Sequence, residues 1–183
     1  FAQVTNPPID AYRESLVMSL MSFVGRERNL LEETPEHCRQ LKLAHPILTN
    51  DDLHHLRNTY IPNFKIDTVS ILFSRSETGG ELQTALERVC AEVEAKIDEG
   101  CELVILSDRN IAADQIPIPA LLAMGAVQQY LVEKGKRHLS GIIIETGEAR
   151  EVHHFATLVG YGASGINPYL VFEYLVDLKQ QGY

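Results

Sequence analysis

The sequence predicts an α/β fold, a parallel sheet of βα units preceded by a helical N-terminal segment. From about Val69 onward, short apolar runs rich in β-branched residues alternate with helical periodicity, which is typical of parallel strands joined by helices. Before Val69, no run of residues has the composition of a confident strand. The 183 residues are enough for one domain with a full core and too few for two ordinary ones. We therefore expect a single domain over 1–183, with a helical connector and cap at 1–66 and the βα units at 67–183.

The N-terminal part is expected to hold three helical segments. They are predicted at residues 10–24, in a short stretch opened by Thr34-Pro35, and at about residues 50–58. These helices could cap one side or edge of the sheet, or they could form a connector to something outside this chain. The sequence leaves both alternatives open.

The first βα unit is predicted from residue 69 to Gly100. Residues 69–73 have the composition of a strand, and Thr78-Gly79-Gly80-Glu81 matches a capping box. Apolar residues then recur at three- and four-residue spacing as far as Ile97, which indicates an amphipathic helix packed on a sheet. Gly100 supplies the stop signal.

Three further units follow the same pattern. Strands are predicted at 101–106, 141–145 and 165–167, and helices at 119–134, at 148–159 and from 168 to about 179. Glu148 and Glu151 are expected in the first turn of the second of these helices, where they would complement its dipole. Asn167 is expected to cap the last helix, with Pro168 at its first position.

Composition and charge exclude several classes of protein. The formal net charge of -9, with scattered basic residues, predicts a surface that repels the phosphate backbone of nucleic acids. No apolar run approaches the roughly twenty residues that span a bilayer, and the first residues lack the pattern of an export signal. Three widely separated cysteines, Cys38, Cys90 and Cys101, fit reduced and mostly buried thiols, and their spacing cannot hold an iron-sulfur cluster.

Two motifs resemble ligand sites and have plainer interpretations. Residues 160–165 read G-x-G-x-x-G, but the dinucleotide motif needs a strand before it and a helix after it, and here a helix precedes and a strand follows. These glycines are instead expected to end the helix and permit a tight turn. The pairs His54-His55 and His153-His154 point about 100° apart on a helix, so we expect one half-buried and one solvated histidine in each pair and no metal site.

Polar residues follow the predicted strands, where parallel α/β folds bind their ligands. Arg75, Asp108, Arg109, Glu145 and Arg150 are the charged members of this set that we select as candidates. The arginines could hold an anion while Asp108 or Glu145 acts as a base. The alternative is that these residues cap helices and pair with one another, since no nucleophile with an ordered histidine and acid partner is visible.

Several long stretches can be read together in order, namely residues 5–10, 13–20, 29–32, 106–109, 118–127, 153–156 and 160–170, together with Gly25. In this order they resemble the central domain of the glutamate synthase large (alpha) subunit. The resemblance implies an incomplete or degenerate (β/α) barrel-like sheet, excised from a longer multidomain chain. Phe1 in place of a starting methionine agrees with that expectation.

The resemblance also implies the role of the parent enzyme and the partners of this domain. The parent would be a glutamate-forming oxidoreductase of ammonia assimilation, making glutamate from glutamine and 2-oxoglutarate. It would carry FMN and an iron-sulfur cluster in other domains, while this domain holds no cofactor, no metal and no catalytic group. The expected partners are the glutaminase, FMN synthase and β-helix domains of the same polypeptide, and a small subunit or ferredoxin through the parent. The expected location is the cytoplasm, or a plastid in a plant or alga.

Thr5 and Asn6 are the residues that the resemblance places near the ammonia tunnel. A small hydroxyl and backbone carbonyls beside an extended segment that precedes a proline can line a narrow polar passage. Alternatively, Asn6 and Asp10 only cap the first helix. The hypothesis opposed to a connecting domain is a free-standing α/β enzyme that binds an anionic small metabolite at the carboxyl ends of its strands.

Overall fold

The computed structural model describes residue 12 and residues 18–58, 60–74 and 81–182 of the chain. Within them, the strands are β1 (Ser22–Val24), β2 (Leu41–Leu43), β3 (Lys65–Ser70), β4 (Leu72–Ser74), β5 (Cys101–Ser107), β6 (Gln115–Pro117), β7 (Gly141–Glu145) and β8 (Gly165–Asn167). The α-helices are α1 (Asn50–Asn58), α2 (Glu81–Asp98), α3 (Ala120–Glu133), α4 (Val152–Gly160) and α5 (Tyr169–Gln180). Pro35–Cys38 and Arg137–Leu139 form short 3₁₀ helices.

A four-stranded parallel sheet with the order β3-β5-β7-β8 lies at the centre of the fold. Each strand is joined to the next by a helix, and β7 and β8 have the predicted bounds. The described strands form no closed barrel, so the predicted α/β class with an incomplete barrel-like sheet is confirmed. β5 and β7 are buried along their whole length, as expected of strands covered on both faces.

The predicted strand at 69–73 is divided between two sheets. β3 begins earlier, at Lys65, and residues 72–73 belong to β4, which pairs antiparallel with β6. The division falls at the fully buried Ile71, whose amide donates to the Ser107 carbonyl over 2.9 Å and whose carbonyl accepts from the Ile118 amide over 2.9 Å. The start of β3 was not predicted because its first residues are mostly polar: Lys65, Asp67 and Thr68 leave Ile66 as the one apolar residue before Val69.

Helices α2, α3 and α4 pack on one face of the sheet and enclose the larger core. Their buried side chains, such as Val89, Val93, Met124 and Val127, meet the strand residues of that face. Helix α2 ends at Asp98, as the apolar spacing predicts, and α3 lies within one residue of its predicted bounds.

The N-terminal part contains strands, contrary to the prediction. Residues 22–24, expected to end the first helix, form β1, which pairs antiparallel with β2. Residues 10, 11 and 13–17 of that expected helix lie outside the described residues. A strand of three residues is shorter than two periods of alternation, so the pattern that reveals longer strands is missing here. The short helix at Pro35–Cys38 and helix α1 at Asn50–Asn58 agree with the prediction.

The N-terminal elements cover the second face of the sheet. Val24, Leu43, Leu48 and Leu53 form a smaller core with sheet residues that include Leu103, Ile105 and Ile143. The same segment closes the outer edge of β8. The Leu48 amide donates to the Ile166 carbonyl over 2.8 Å, and the Ile166 amide donates to the Pro46 carbonyl over 2.7 Å.

The last two helices begin differently from the prediction. Helix α4 starts at Val152, so Glu148 and Glu151 precede it: Glu151 caps the helix together with His154, and Glu148 accepts the Ala120 amide over 2.7 Å at the start of α3. Asn167 does not cap α5, because it is a buried residue of β8. Its side chain is committed to the Leu48 carbonyl and to Asn50, each at 2.9 Å.

None of the described helices combines the length and apolar character that a membrane span requires. All three cysteines are free: Cys90 and Cys101 are buried, and Cys38 is exposed.

Candidate functional site

The carboxyl ends of three parallel strands bring the predicted polar residues together. β5 ends in Ser107 and is followed by Asp108 and Arg109, β7 ends in Glu145, and β8 ends in Asn167. The register places Ser107 opposite Glu145 and Glu145 opposite Asn167. We call Arg57, Ser107, Asp108, Arg109, Glu145, Asn167 and Tyr169 the strand-end cluster.

Glu145 is the central acid of the strand-end cluster and is only 1% exposed. Arg57 of helix α1 donates to both of its carboxylate oxygens, from Nη1 to Oε1 over 3.0 Å and from Nη2 to Oε2 over 2.6 Å. The Ser107 hydroxyl donates to Oε2 as well, and Arg109 Nη1 lies 3.5 Å from Oε1. Two parallel bonds from one guanidinium give a buried carboxylate both charge and hydrogen-bond satisfaction.

These contacts keep Glu145 ionised. Burial alone would raise its pKa, but the hydrogen bonds from Arg57 and Ser107 and the positive charges of Arg57 and Arg109 lower it below its ordinary value. A general base needs a pKa near the working pH. Glu145 therefore fits an internal ion pair rather than a proton acceptor.

Asp108 is the second buried acid and forms a separate set of hydrogen bonds. The Thr146 hydroxyl donates to Oδ2 over 2.6 Å, and the Gly147 amide lies 3.1 Å from each oxygen. Burial raises the pKa of Asp108, and the hydrogen bonds from Thr146, Gly147 and Tyr169 oppose that effect. Burial, followed by the nearby charge of Asp108, raises the pKa of Tyr169 to about 12, so this phenol stays a donor.

Arg109 links the strand-end cluster to helix α5. Its guanidinium carbon lies 4.5 Å from the centre of the Tyr169 ring, and Nη2 donates to Glu173. Together with the contact to Glu145, these interactions engage the positive charge of Arg109 with groups of this chain.

Arg150 is the one other described candidate, and its contacts lie outside this cluster. Arg150 is an exposed residue of the loop before α4, where its amide donates to His154 Nδ1 over 3.1 Å. Arg75 lies outside the described residues, as do Thr5 and Asn6. Sequence reasoning missed Arg57, although an apolar strand that ends in a glutamate does indicate a buried acid in need of a cation.

The histidine pairs do not form a metal centre among the described residues, where no group of three or more candidate ligands is found. His154 is half-buried and His153 exposed, as predicted, whereas His54 and His55 are both exposed and that part of the prediction is wrong.

The glycines at 160–165 end helix α4 as predicted. Gly162 has a φ of +103°, and the Gly162 and Ala163 amides donate to the Val159 and Leu158 carbonyls over 2.9 and 3.0 Å. This is the Schellman arrangement, in which a left-handed residue reverses the chain after a helix. The turn leads directly into β8, and its amides donate to the last carbonyls of α4.

The comparison with known families decides the identity of the segment. The family described as "Glutamate synthase central domain" matches residues 1–183. The chain belongs to the glutamate synthase central domain family. Its sequence is 43% identical over 183 residues to "Glutamate synthase [NADH]" of Schizosaccharomyces pombe, covering 99% of this chain and 9% of that protein.

Other relatives of this glutamate synthase central domain show the same proportions. "Glutamate synthase [NADPH] large chain" of Bacillus subtilis is 45% identical over 172 residues, covering 94% of this chain and 11% of that protein. "Ferredoxin-dependent glutamate synthase" of Pyropia yezoensis is 39% identical over 175 residues, with the same coverage of 94% and 11%. The chain thus spans about a tenth of the length of these curated relatives.

Proposed function

We propose that this central domain positions the glutaminase and FMN synthase domains of a glutamate synthase polypeptide and contributes to the ammonia passage between them. The observation that carries the proposal is that Arg57, Glu145 and Arg109 of the strand-end cluster are engaged by ion pairs within this chain. Both oxygens of Glu145 are engaged by Arg57, and Arg109 is engaged by Glu145, Glu173 and Tyr169. A site for an anionic metabolite would need cations with donors aimed at the ligand.

The location of open space supports the same function. A cavity of about 830 Å³ lies between α3 and the turn after α4; its lining includes Leu121, Leu122 and Tyr161 and contains no residue of the strand-end cluster. Leu122 and Val132 of α3 and Val159 of α4 are exposed. Exposed apolar side chains of this kind are expected on a domain that contacts other domains. A free-standing metabolite enzyme is therefore the weaker hypothesis.

The parent enzyme would form glutamate from glutamine and 2-oxoglutarate, with FMN and an iron-sulfur cluster held outside this segment. The relatives named for NADH, NADPH and ferredoxin are 43%, 45% and 39% identical to this chain. The sequence identity to this chain is similar whichever electron donor the relative is named for. We therefore infer that the electron donor, and any small subunit or ferredoxin, is selected elsewhere in the assembly. The β-helix domain would complete the polypeptide.

We expect this domain to lie in the same cell compartment as the complete enzyme that contains it. We propose the cytoplasm, or a plastid if the source is a plant or alga. The latter alternative is supported by a relative named "Ferredoxin-dependent glutamate synthase, chloroplastic" from Oryza sativa, 42% identical over 176 residues.

The test measures coupling in the complete polypeptide that carries this segment. Thr5→Val and Asn6→Ala should lower the amount of glutamate formed per glutamine hydrolysed, because a passage with altered polar lining loses ammonia to solvent. Glutaminase activity and glutamate formation from added ammonium should each stay near the unsubstituted rates.

Arg109→Ala at the strand ends and Arg150→Ala in the loop before α4 serve as controls. The connecting role predicts that both retain saturation by 2-oxoglutarate with an unchanged KM. A rise in KM for 2-oxoglutarate in either variant would contradict the proposed function and favour a metabolite site at the strand ends.

A further inference from the structure

The imidazole ring of His154 caps the N-terminal end of helix α4. Its Nδ1 accepts from the Arg150 amide over 3.1 Å and from the Glu151 amide over 3.3 Å. The Glu151 side chain faces the His154 amide in the reciprocal half of a capping box. A capping box normally has glutamate or glutamine at this third helical position. With histidine in that position, the cap depends on the charge state of an imidazole.

Only the neutral form of His154 can accept both of these hydrogen bonds. A backbone N–H can only donate, so Nδ1 must be the acceptor and the ring proton must lie on Nε2. Protonation places a hydrogen on Nδ1 as well, and that nitrogen then faces two donors. The positive charge would also lie in the first turn of α4, where the helix dipole disfavours a cation. Histidine is the side chain whose charge ordinarily changes between pH 5 and pH 8.

The charged groups around His154 do not replace the lost acceptor. Glu148, Arg150 and Glu151 lie in the loop that leads into α4, and the Glu148 carboxylate already accepts the Ala120 amide over 2.7 Å. The first turn of α3 and strand β8, which pack against α4, carry no charged residue. An imidazolium drawn towards Glu148 or Glu151 would have to turn Nδ1 away from the two amides. Either movement therefore opens the cap.

The surrounding core confines this opening to the start of α4. Ala149 before the cap, and Phe155 and Leu158 after it, pack in the larger core. Residues 150–152 lie between these anchors and are exposed. Opening the cap therefore releases a short segment without removing a buried side chain from the core.

We infer that His154 makes the start of α4 a proton-sensitive switch. Neutral His154 closes the cap, and protonated His154 releases residues 150–152 together with the first turn of the helix. The two-state element is a single helical turn whose closed form depends on one ring nitrogen. The switch is independent of the connecting role proposed above.

Hydrogen exchange in the complete polypeptide tests this switch, with short labelling pulses and peptide mass spectrometry at residue resolution. Protection of the Arg150 and Glu151 amides is expressed relative to the intrinsic exchange rate at each pH. It should fall about tenfold between pH 8 and pH 5, the size expected for the loss of one helix cap. Exchange of the C2 hydrogen of the His154 ring reports the pH at which His154 gains its proton, and the two transitions should coincide.

His154→Gln separates the effect of the ring from that of the neighbouring acids. Glutamine can accept from the Glu151 amide through Oε1 but does not titrate, so this variant should keep its protection from pH 8 to pH 5. His154→Ala removes the acceptor and should show low protection at both pH values. His153→Gln is the matched control, because His153 is exposed and its replacement should leave the pH dependence unchanged.

Two results would overturn the switch. If protection of the Arg150 and Glu151 amides stayed constant while His154 gained its proton, the cap would tolerate a charged ring. If His154→Gln lost as much protection as the unsubstituted polypeptide, another group would be the source of the pH dependence. The first result needs no substitution, so it decides the matter even if a variant fails to fold.

Discussion

At the scale of single residues, Glu145 shows how a carboxylate can remain charged in a protein interior. The side chain lies at the end of an apolar strand and is almost fully removed from water. Removing one partner of such a buried pair leaves an uncompensated charge, which is far more costly than the net value of the pair. The contribution of Glu145 is therefore best measured through its charge.

Glu145→Gln should destabilise the fold by about 2–4 kcal/mol at neutral pH, because Arg57 and Arg109 lose their shared anion. The folded pKa of Glu145 lies below its ordinary value of 4.5. The stabilisation is therefore fully present above pH 4.5 and is lost as the pH falls through the lower folded pKa. Urea unfolding followed from pH 7 to pH 3 should show the difference between the variant and the parent chain shrinking at the acidic end.

Glu99→Gln is the matched control for this prediction. The Lys65 hydrogen bond and charge also lower the pKa of Glu99, but its side chain is 54% exposed, so solvent screens the pair. This variant should change stability little at any pH. If the stability difference between Glu145→Gln and the parent chain stayed constant down to pH 3, the charge of Glu145 would not be the source of the stabilisation.

The sequence predicted part of the strand-end cluster and missed its cation. Asp108, Arg109 and Glu145 could be selected because they follow apolar strands whose carboxyl ends share one edge. Arg57 contacts Glu145 across 88 positions of sequence, and the pattern around it shows only a short polar helix. Arg150 comes after a strand as well, but it is exposed while the neighbouring Ala149 is buried, and sequence periodicity does not report that difference.

At the scale of elements, the contact between β1 and β7 depends on a missing side chain. A Cβ at Gly141 would lie 2.4 Å from Val24 Cγ1 and 3.0 Å from Leu103 Cδ1. Neither neighbour can retreat easily, because both belong to the smaller core. Gly141 thus allows the antiparallel pair of β1 and β2 to lie directly on the sheet.

Gly141→Ala should therefore destabilise the chain by about 1–3 kcal/mol through overpacking. Adding Val24→Ala should recover part of the loss, so that the double variant is more stable than the sum of the single effects predicts. Thermal unfolding of the four chains measures the coupling. Gly160→Ala is the control, since a Cβ there meets no atom within 4 Å, and strict additivity of Gly141→Ala and Val24→Ala would contradict the proposed contact.

Place in the βα order, more than element length, explains which parts of the fold could be predicted, since β8 has only three residues and was predicted with its correct bounds. The bounds of β7, β8 and α1 follow from the sequence, as do those of α3 within one residue, because apolar runs and stop signals enclose them. β1, β2, β4 and β6 have three residues each, and they exist because tertiary partners pair with them. Helix α4 begins later than predicted since Glu148 binds the first amide of α3 instead of starting its own helix.

At the scale of the whole molecule, the two cores share one sheet. Leu103, Ile105 and Ile143 face the N-terminal elements, while Val104, Leu106 and Ile144 face the helices. Neither layer can leave without exposing fully buried strand residues. The single domain predicted over 1–183 should therefore behave as one cooperative unit.

Hydrogen exchange measures that cooperativity. Amides of α1 and of β7 should exchange with the same free energy of opening under conditions where exchange reports global unfolding, because Leu53 and Ile143 belong to one core. The amides of α5 should exchange faster, since that helix buries no residue. A lower opening free energy for α1 than for β7 would divide the chain into two units.

The closed outer edge of β8 also sets an order of events during synthesis. Leu48 leaves the ribosome early, yet its carbonyl accepts from Asn167, 119 positions later. Until β8 has emerged, the segment at 46–48 has no strand to join, and the pair of β1 and β2 has only part of its sheet to cover. Contacts of such long sequence separation form late and slowly, so this edge of the sheet is completed only after Asn167 has been translated.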